Sequence, residues 1–311
     1  MTTSHTLSQL LSPYRTISII GMAKNVGKTT TLNHLIRAFR KEEQTIALTS
    51  IGRDGERVDV VTKTEKPPIF VFKNTIVATT EKLLPLCDIT KEIMLVTDIN
   101  TPLGRVVLVR ALSDGFVQLG GPSMTTQLSD LLKHIPGDKV LVDGAISRKT
   151  LAGITDATVL CTGASLSPSM HKTIEETRHG VNMLMIPKLV PPGVNPHPLG
   201  ACVRQAALND ASVLKYLPGA VTDSMVHDLV RPNMDGGTIV AEDPSKLFIT
   251  PATYEKLRIK KIKLAVLNPI RLVGLTVNPF SPYHTDFNPK EFLQKMQEAV
   301  PIPVFDLKIQ E

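Results

Sequence analysis

The chain has 311 residues, 42% hydrophobic and 21% charged, enough for one large or two moderate cores and unlike a disordered chain. Its 35 Lys and Arg against 29 Asp and Glu leave a formal charge of +6, and aromatics reach only 4% with no Trp. It therefore lacks the stacking platforms of single-strand nucleic-acid binders, and no nucleic acid is expected as partner.

The first fourteen residues form a polar lead without a hydrophobic signal core, and no run approaches the roughly 20 apolar residues of a spanning helix. A chain neither exported nor embedded in a membrane is expected. Cys87, Cys161 and Cys202 lie far apart with no Cys-x-x-Cys pair, which argues against a disulfide framework or a structural zinc and for a reducing cytoplasm.

In chain order, the first part alternates short apolar runs with helical patterns, the signature of βαβ units and a largely parallel sheet. Strands are predicted at Ile17–Ile20, Thr45–Thr49, Ile69–Phe72, Ile93–Thr97, Lys139–Val142 and Thr158–Cys161. The first strand precedes the best helix, starting near Lys28, with Leu32, Leu35, Ile36 and Phe39 at i, i+3, i+4 and i+7. A helix from about Thr125 to Ile135 follows Gly120-Gly121-Pro122-Ser123, where Ser123 either caps the helix or binds an anion.

Five prolines between Pro187 and Pro198 forbid helix and weaken any ladder, so the boundary is placed there. Residues 1–188 form the first domain, 189–200 the proline-rich linker and 201–311 a smaller C-terminal α/β domain. In that last part Thr238–Ala241, Lys263–Leu267, Leu272–Val277 and Pro303–Phe305 read as strands, and Asn288–Ala299 as a helix with Phe292, Met296 and Val300 at helical spacing. The fold class is α/β, a doubly wound and mostly parallel sheet.

The strongest chemistry is Gly21-Met22-Ala23-Lys24-Asn25-Val26-Gly27-Lys28-Thr29-Thr30, between the first strand and the best helix, the context a Walker A P-loop requires. Gly27 lets backbone approach a phosphate, and successive N–H groups of Lys24 to Thr30 at a helix N-terminus point at the anion. Lys28 supplies positive charge to the β and γ phosphates, and the Thr29 hydroxyl can ligate Mg²⁺. The spacing departs from the usual motif: five residues, not four, separate Gly21 from Gly27. The plain alternative is a strand-to-helix turn whose glycines serve only backbone geometry.

Two acidic positions fall where a metal needs them. Asp54, with Asp59 behind it, follows the second strand, and Asp143 ends Lys139-Val140-Leu141-Val142-Asp143 as a Walker B carboxylate would. Ligands gather at the carboxyl ends of strands in an open parallel sheet, so Thr29, Asp54 and Asp143 could converge on one Mg²⁺. A strand-ending turn at Asp143-Gly144 and a surface loop at Asp54-Gly55 are the alternatives.

Gly-x5-Gly-Lys-Thr with Val142-Asp143-Gly144-Ala145 resembles the dethiobiotin synthetase and cobyrinic acid amide synthetase branch of P-loop proteins. That resemblance implies ATP, with Mg²⁺ held by an early acidic residue and a strand-end carboxylate; it lands on Lys28, Thr29, Asp54 and Asp143, with Asp where that branch has Glu. The Lys-Pro and the double glycine that dethiobiotin synthetase uses around its substrate are replaced here by Ser50-Ile51-Gly52 and Ala145-Ile146-Ser147. A carboxylate-activating ligase is the weaker alternative, and a nucleotide-binding regulator without turnover is another.

Over most of its length the chain is similar to the P-loop subunit family of the factor that reactivates lysine 5,6-aminomutase. The similarity rests on Thr49-Ser50-Ile51-Gly52-Arg53-Asp54-Gly55-Glu56, Asn100-Thr101-Pro102-Leu103-Gly104, Arg110-Ala111-Leu112-Ser113-Asp114-Gly115, Leu141-Val142-Asp143-Gly144-Ala145, Thr276-Val277-Asn278-Pro279 and Pro303-Val304-Phe305-Asp306. It implies a Mg-dependent ATPase acting with a second, MutS-like subunit to exchange damaged for intact adenosylcobalamin on the aminomutase. In it, Lys28 and Asp54 would act in turnover.

Other features weigh less. The basic cluster Lys256, Arg258, Lys260, Lys261 and Lys263 lies at the end of a helix beginning after Pro251 and is ordinary helix C-terminal charge, or else a patch for partner docking or nucleic acid. Eight histidines show no ligand spacing. Asn278 ends an apolar strand; it either contacts adenine, as in related ATPases, or forms a turn in a separate C-terminal domain. No Asn-Lys-x-Asp element is present, so ATP is preferred over GTP.

Overall fold

The computed structural model describes residues 6–52, 68–145, 153–189, 214–217, 219–230 and 236–307. Two compact units divide the chain, the first comprising residues 1–177 and 272–311 and the second residues 178–271.

The first unit opens with α1 (Leu7–Leu11), closed at its start by a Thr6–Gln9 capping box, followed by β1 (Thr16–Gly21), α2 (Lys28–Lys41) and β2 (Ile46–Ser50). Next come β3 (Ile69–Val71), β4 (Ile76–Thr80), β5 (Lys91–Thr101), β6 (Gly104–Ala111) and β7 (Gly115–Val117). The unit continues through α3 (Thr125–His134), β8 (Lys139–Ala145), β9 (Ala157–Gly163) and α4 (Met170–Leu184), which crosses into the second unit.

The second unit holds a three-stranded parallel sheet, β10 (Leu214–Leu217), β12 (Thr238–Ala241) and β14 (Lys263–Val266), and a parallel pair, β11 (Val221–Thr222) with β13 (Leu247–Phe248). Its helices Asp223–Leu229 and Pro251–Ile259 begin at Thr222 and Thr250, whose side chains accept amide bonds and cap them, as hydroxyl side chains do at helix starts. Val221, Val226, Ile239, Leu247, Leu257 and Val266 form its core. The chain then returns to the first unit as β15 (Leu272–Asn278), the helix Pro289–Ala299 and β16 (Val304–Phe305).

One nine-stranded sheet organises the first unit, in the order β16-β15-β9-β1-β8-β2-β4-β6-β5. Strands from β16 to β4 run parallel, and β6 and β5 add antiparallel at the edge. The fold is thus mostly parallel α/β. Ile17 and Ile19 of β1, Leu48 of β2, Leu141 of β8 and Val159 of β9 share a buried cluster with Leu32, Leu35, Ile36 and Phe39 of α2. Period 2 on the strands meets period 3.6 on the helix, so the two patterns bury one another. Burying such a side chain stabilises by about 1.5–3 kcal/mol.

Three expectations are corrected. Ile69–Phe72 and Ile93–Thr97 are extended but do not join the parallel array: β3 pairs antiparallel with β7 in a separate ribbon, and β5 with β6 in an edge hairpin. Residues 272–311 are not part of a C-terminal domain, because β15 lies beside β9 in the main sheet, where Leu275 and Val277 are buried. The second unit is therefore an insertion. Of the proline-rich stretch, residues 190–198 lie outside the described residues.

Candidate functional site

At the carboxyl ends of β1, β8 and β9 the chain makes a tight loop, Met22–Gly27, before α2. Gly21 pairs in register with Ala145 and Cys161, and the Met22 amide donates to the Cys161 carbonyl at 2.9 Å. A Cβ on Gly21 would stand 2.9 Å from Val26 Cγ2; glycine here is what lets buried Val26 fold back against the strand.

Asn25 (φ 60°) and Gly27 (φ 86°) both take the left-handed conformation, the kind of residue that, in anion-binding backbone nests, turns successive amides into one concavity. Gly27 is also the residue capping α2. It contributes no capping side chain, and the first turn holds no acidic residue. The amides at such a helix start lack intrahelical partners and carry the positive end of the helix dipole.

Lys28, the first residue of α2, reaches back across β1 to β8, where its Nζ lies 3.1 Å from Asp143 Oδ1. The lysine side chain keeps 21% of its surface exposed and the aspartate only 8%. Asp143 does not end its strand; β8 runs two residues further, to Ala145. Its neighbours across the ladder are Ile19 of β1 and Ser50 of β2. Thr29 and Thr30 follow in the first turn, half-buried, and Lys24 is exposed. Structure thus brings Gly21, Lys24, Asn25, Val26, Gly27, Lys28, Thr29, Thr30 and Asp143 to one end of the sheet.

Asp54 and Asp59 lie outside the described residues. Among the described residues, no group of three or more His, Cys, Asp or Glu side chains is placed to hold a metal.

Behind the loop, Thr31 Oγ1 sits 3.1 Å from the Gly27 carbonyl and 2.9 Å from Thr276 Oγ1. Cys161 donates to the same hydroxyl at 3.5 Å. Burial pushes the Cys161 thiol up from its ordinary range, so it packs as a small hydrophobe and not as a thiolate. A shallow pocket opens beside the α2 start, lined by Gly27, Thr30, Thr276, Asn278, Asp306 and Leu307 among others.

Three further contributors join this end, of which Asn278 was marked in the sequence only as a strand end and Tyr283 and Ser165 carried no local signal. Asn278 closes β15, and its Nδ2 donates to the Asn25 carbonyl at 2.9 Å. Tyr283 and Ser165 also touch the loop, through Asn25 Nδ2 at 3.1 Å and the Lys24 carbonyl at 2.9 Å. Only the pairing of β15 with β9 brings Asn278 here. Ser123, by contrast, is no cap: the capping position of α3 is Met124, with no side-chain hydrogen bond. That segment is set by Gly121, where a Cβ would fall 1.7 Å from the Ser50 carbonyl oxygen.

The chemistry assembled is a bare helix start, two left-handed loop residues, an ammonium and a nearly buried carboxylate. Such an arrangement suits an anion bound through main-chain amides, with the carboxylate on hand for a cation. A scan against protein-family models and a search of curated proteins both gave no match. Among the described residues no helix is long and apolar enough to cross a membrane.

Proposed function

We propose that this chain is a cytoplasmic Mg-dependent P-loop ATPase, the nucleotide-handling subunit of a factor that reactivates lysine 5,6-aminomutase. The observation that carries the nucleotide half is the juxtaposition of Lys28 and Asp143 across β1, at the mouth of the Gly21–Lys28 loop. In a P-loop the lysine and the strand-end carboxylate serve the same triphosphate, one on the phosphates and one on the metal. Support for the aminomutase half is the sequence resemblance.

The residues present fit the group. Asn25 and Gly27 supply the left-handed backbone from which an anion cradle is built, and no acidic side chain occupies the first turn of α2. Lys28 would hold the β and γ phosphates, and Thr29 and Asp143 would hold Mg²⁺, with Asp54 orienting water or adding a ligand. Bound Mg²⁺ would neutralise charge between the phosphates. Charge-assisted hydrogen bonds contribute about 1.5–3 kcal/mol each, so a handful reaches micromolar affinity, about 8 kcal/mol.

Energetics explain why such a factor would consume ATP. Shifting a closed aminomutase from 1:99 to 99:1 open takes about 10⁴-fold differential binding, about 5.5 kcal/mol. A partner binding the open form that tightly would not let go, and hydrolysis supplies the release by relaxing loops held by the γ phosphate.

The test mixes the purified chain and its MutS-like partner with inactivated aminomutase, ATP, Mg²⁺ and fresh adenosylcobalamin. Recovered aminomutase activity that requires hydrolysable ATP is the expected result. ADP release only when a small carboxylate is added would instead identify a ligase, and nucleotide binding without turnover a regulator.

A further inference from the structure

Asn278 and Ser165 hold the glycine loop at two neighbouring carbonyls. Asn278 Nδ2 donates to the Asn25 carbonyl at 2.9 Å and also to the Phe280 carbonyl at 3.2 Å, while its Oδ1 accepts from the Phe280 amide. Ser165 Oγ donates to the Lys24 carbonyl at 2.9 Å, from the short 3₁₀ turn that follows β9.

The position of Asn278 is closely determined. It pairs with Gly163 of β9, where a Cβ would lie 2.5 Å from the Asn278 carbonyl oxygen, and its own Cβ lies 3.2 Å from the point where a Cβ on Gly27 would sit. The segment beyond it is closed on itself by Phe287 N to Pro279 O at 2.9 Å and Ser281 N to Asp286 Oδ1 at 2.8 Å. That closure presents Tyr283 Oη to Asn25 Nδ2.

A trans peptide is planar, so its C=O and the following N–H point in opposite directions. Holding the Asn25 carbonyl toward Asn278 turns the Val26 amide away from it, and holding the Lys24 carbonyl toward Ser165 does the same for the Asn25 amide. Asn25 is left-handed, a conformation asparagine tolerates better than other non-glycine residues.

We propose that Asn278 and Ser165 are positioning residues that pre-aim the Val26 and Asn25 amides at a bound polyphosphate. This inference rests on the P-loop reading and deepens it. Asn278 then acts through the loop backbone and not on the base.

The test titrates ATP and, separately, inorganic tripolyphosphate into the full chain by calorimetry, for the wild type, Asn278→Asp, Ser165→Ala and Ser165→Thr. Asn278→Asp keeps the shape but sets a carboxylate oxygen against the Asn25 carbonyl. Both ligands should weaken by the same factor, about tenfold in Asn278→Asp and about threefold in Ser165→Ala, the scale of one hydrogen bond. Ser165→Thr should restore wild-type affinity. Loss of ATP affinity with tripolyphosphate unchanged would place Asn278 on the base and overturn the proposal, as would unchanged binding of both ligands. If Asn278→Asp does not melt cooperatively, Ser165→Ala with its threonine rescue decides alone. A wild type that binds neither ligand overturns the P-loop reading itself, an outcome distinct from all of these.

Discussion

Two lysines sit at opposite ends of the same pair of strands and do opposite work. Lys139, at the amino end of β8, is 4% exposed and donates to the carbonyls of Leu11, Ser12 and Tyr14, with its ammonium 5.3 Å from the centre of the Phe39 ring. Burial holds its pKa below the ordinary lysine value. Lys28, at the carboxyl end, faces a carboxylate 3.1 Å away and keeps a fifth of its side-chain surface open. A cation satisfied by fixed carbonyls ties chain segments together. A cation that faces a carboxylate beside a bare helix start, with part of its surface open, is placed to meet another anion.

That contrast can be broken most sharply at Lys28. Lys28→Ala should lower ATP turnover about 10³-fold, the upper scale for losing one preorganised charge donor, while the chain still unfolds in one cooperative transition. Retained hydrolysis, followed by phosphate release, would sink the assignment. Asp143→Asn should come next, with turnover down about 10²-fold and the rise in rate with added Mg²⁺ flattened; an unaltered magnesium titration would remove Asp143 from the metal.

At the other end the effect should be on stability alone. Lys139→Met leaves three carbonyls short of a donor and should cost about 2 kcal/mol, read from urea unfolding, with nucleotide affinity unchanged. A variant that lost nucleotide affinity instead would erase the distinction between the two ends.

The smallest effect concerns pH. Asp156 accepts from the Thr16 amide and hydroxyl, both at 2.7 Å. Burial pushes its carboxyl up, but the bonds from Thr16 and the nearby Arg15 outweigh that and hold it below the usual aspartate value. A depressed folded-state pKa contributes stability above the unfolded value, about 3.9, and loses it as pH falls through the folded value. Asp156→Asn should therefore flatten the fall in melting temperature below about pH 4 and lower stability at neutral pH; an acid limb identical to wild type would contradict this.

Much of the site was legible because its signals are local. A strand, a glycine loop, Gly27-Lys28-Thr29 and an apolar helical stripe are contiguous, and the helix begins at Lys28 as its periodicity predicts. Asp143 was legible from the apolar run before it. Asn278 was visible as a strand end, but its neighbours were not, since β15 and β9 are more than a hundred residues apart in sequence. Tyr283 and Ser165 are ordinary polar residues in loops, and nothing adjacent to them marks what they touch.

The same division runs through the fold. By itself the sequence determined the first strand, the helix starting at Lys28 and the apolar run into Asp143, because glycines and apolar periods act within a few residues, and so it placed the cation at a helix start and the carboxylate near the end of β8. Tertiary structure alone decided which strands are neighbours: that Lys91–Thr101 folds as an antiparallel edge, that residues 178–271 interrupt one sheet, and that β15 returns to lie beside β9. Strand pairing depends on long-range burial, and a buried apolar run reads the same whichever sheet it completes.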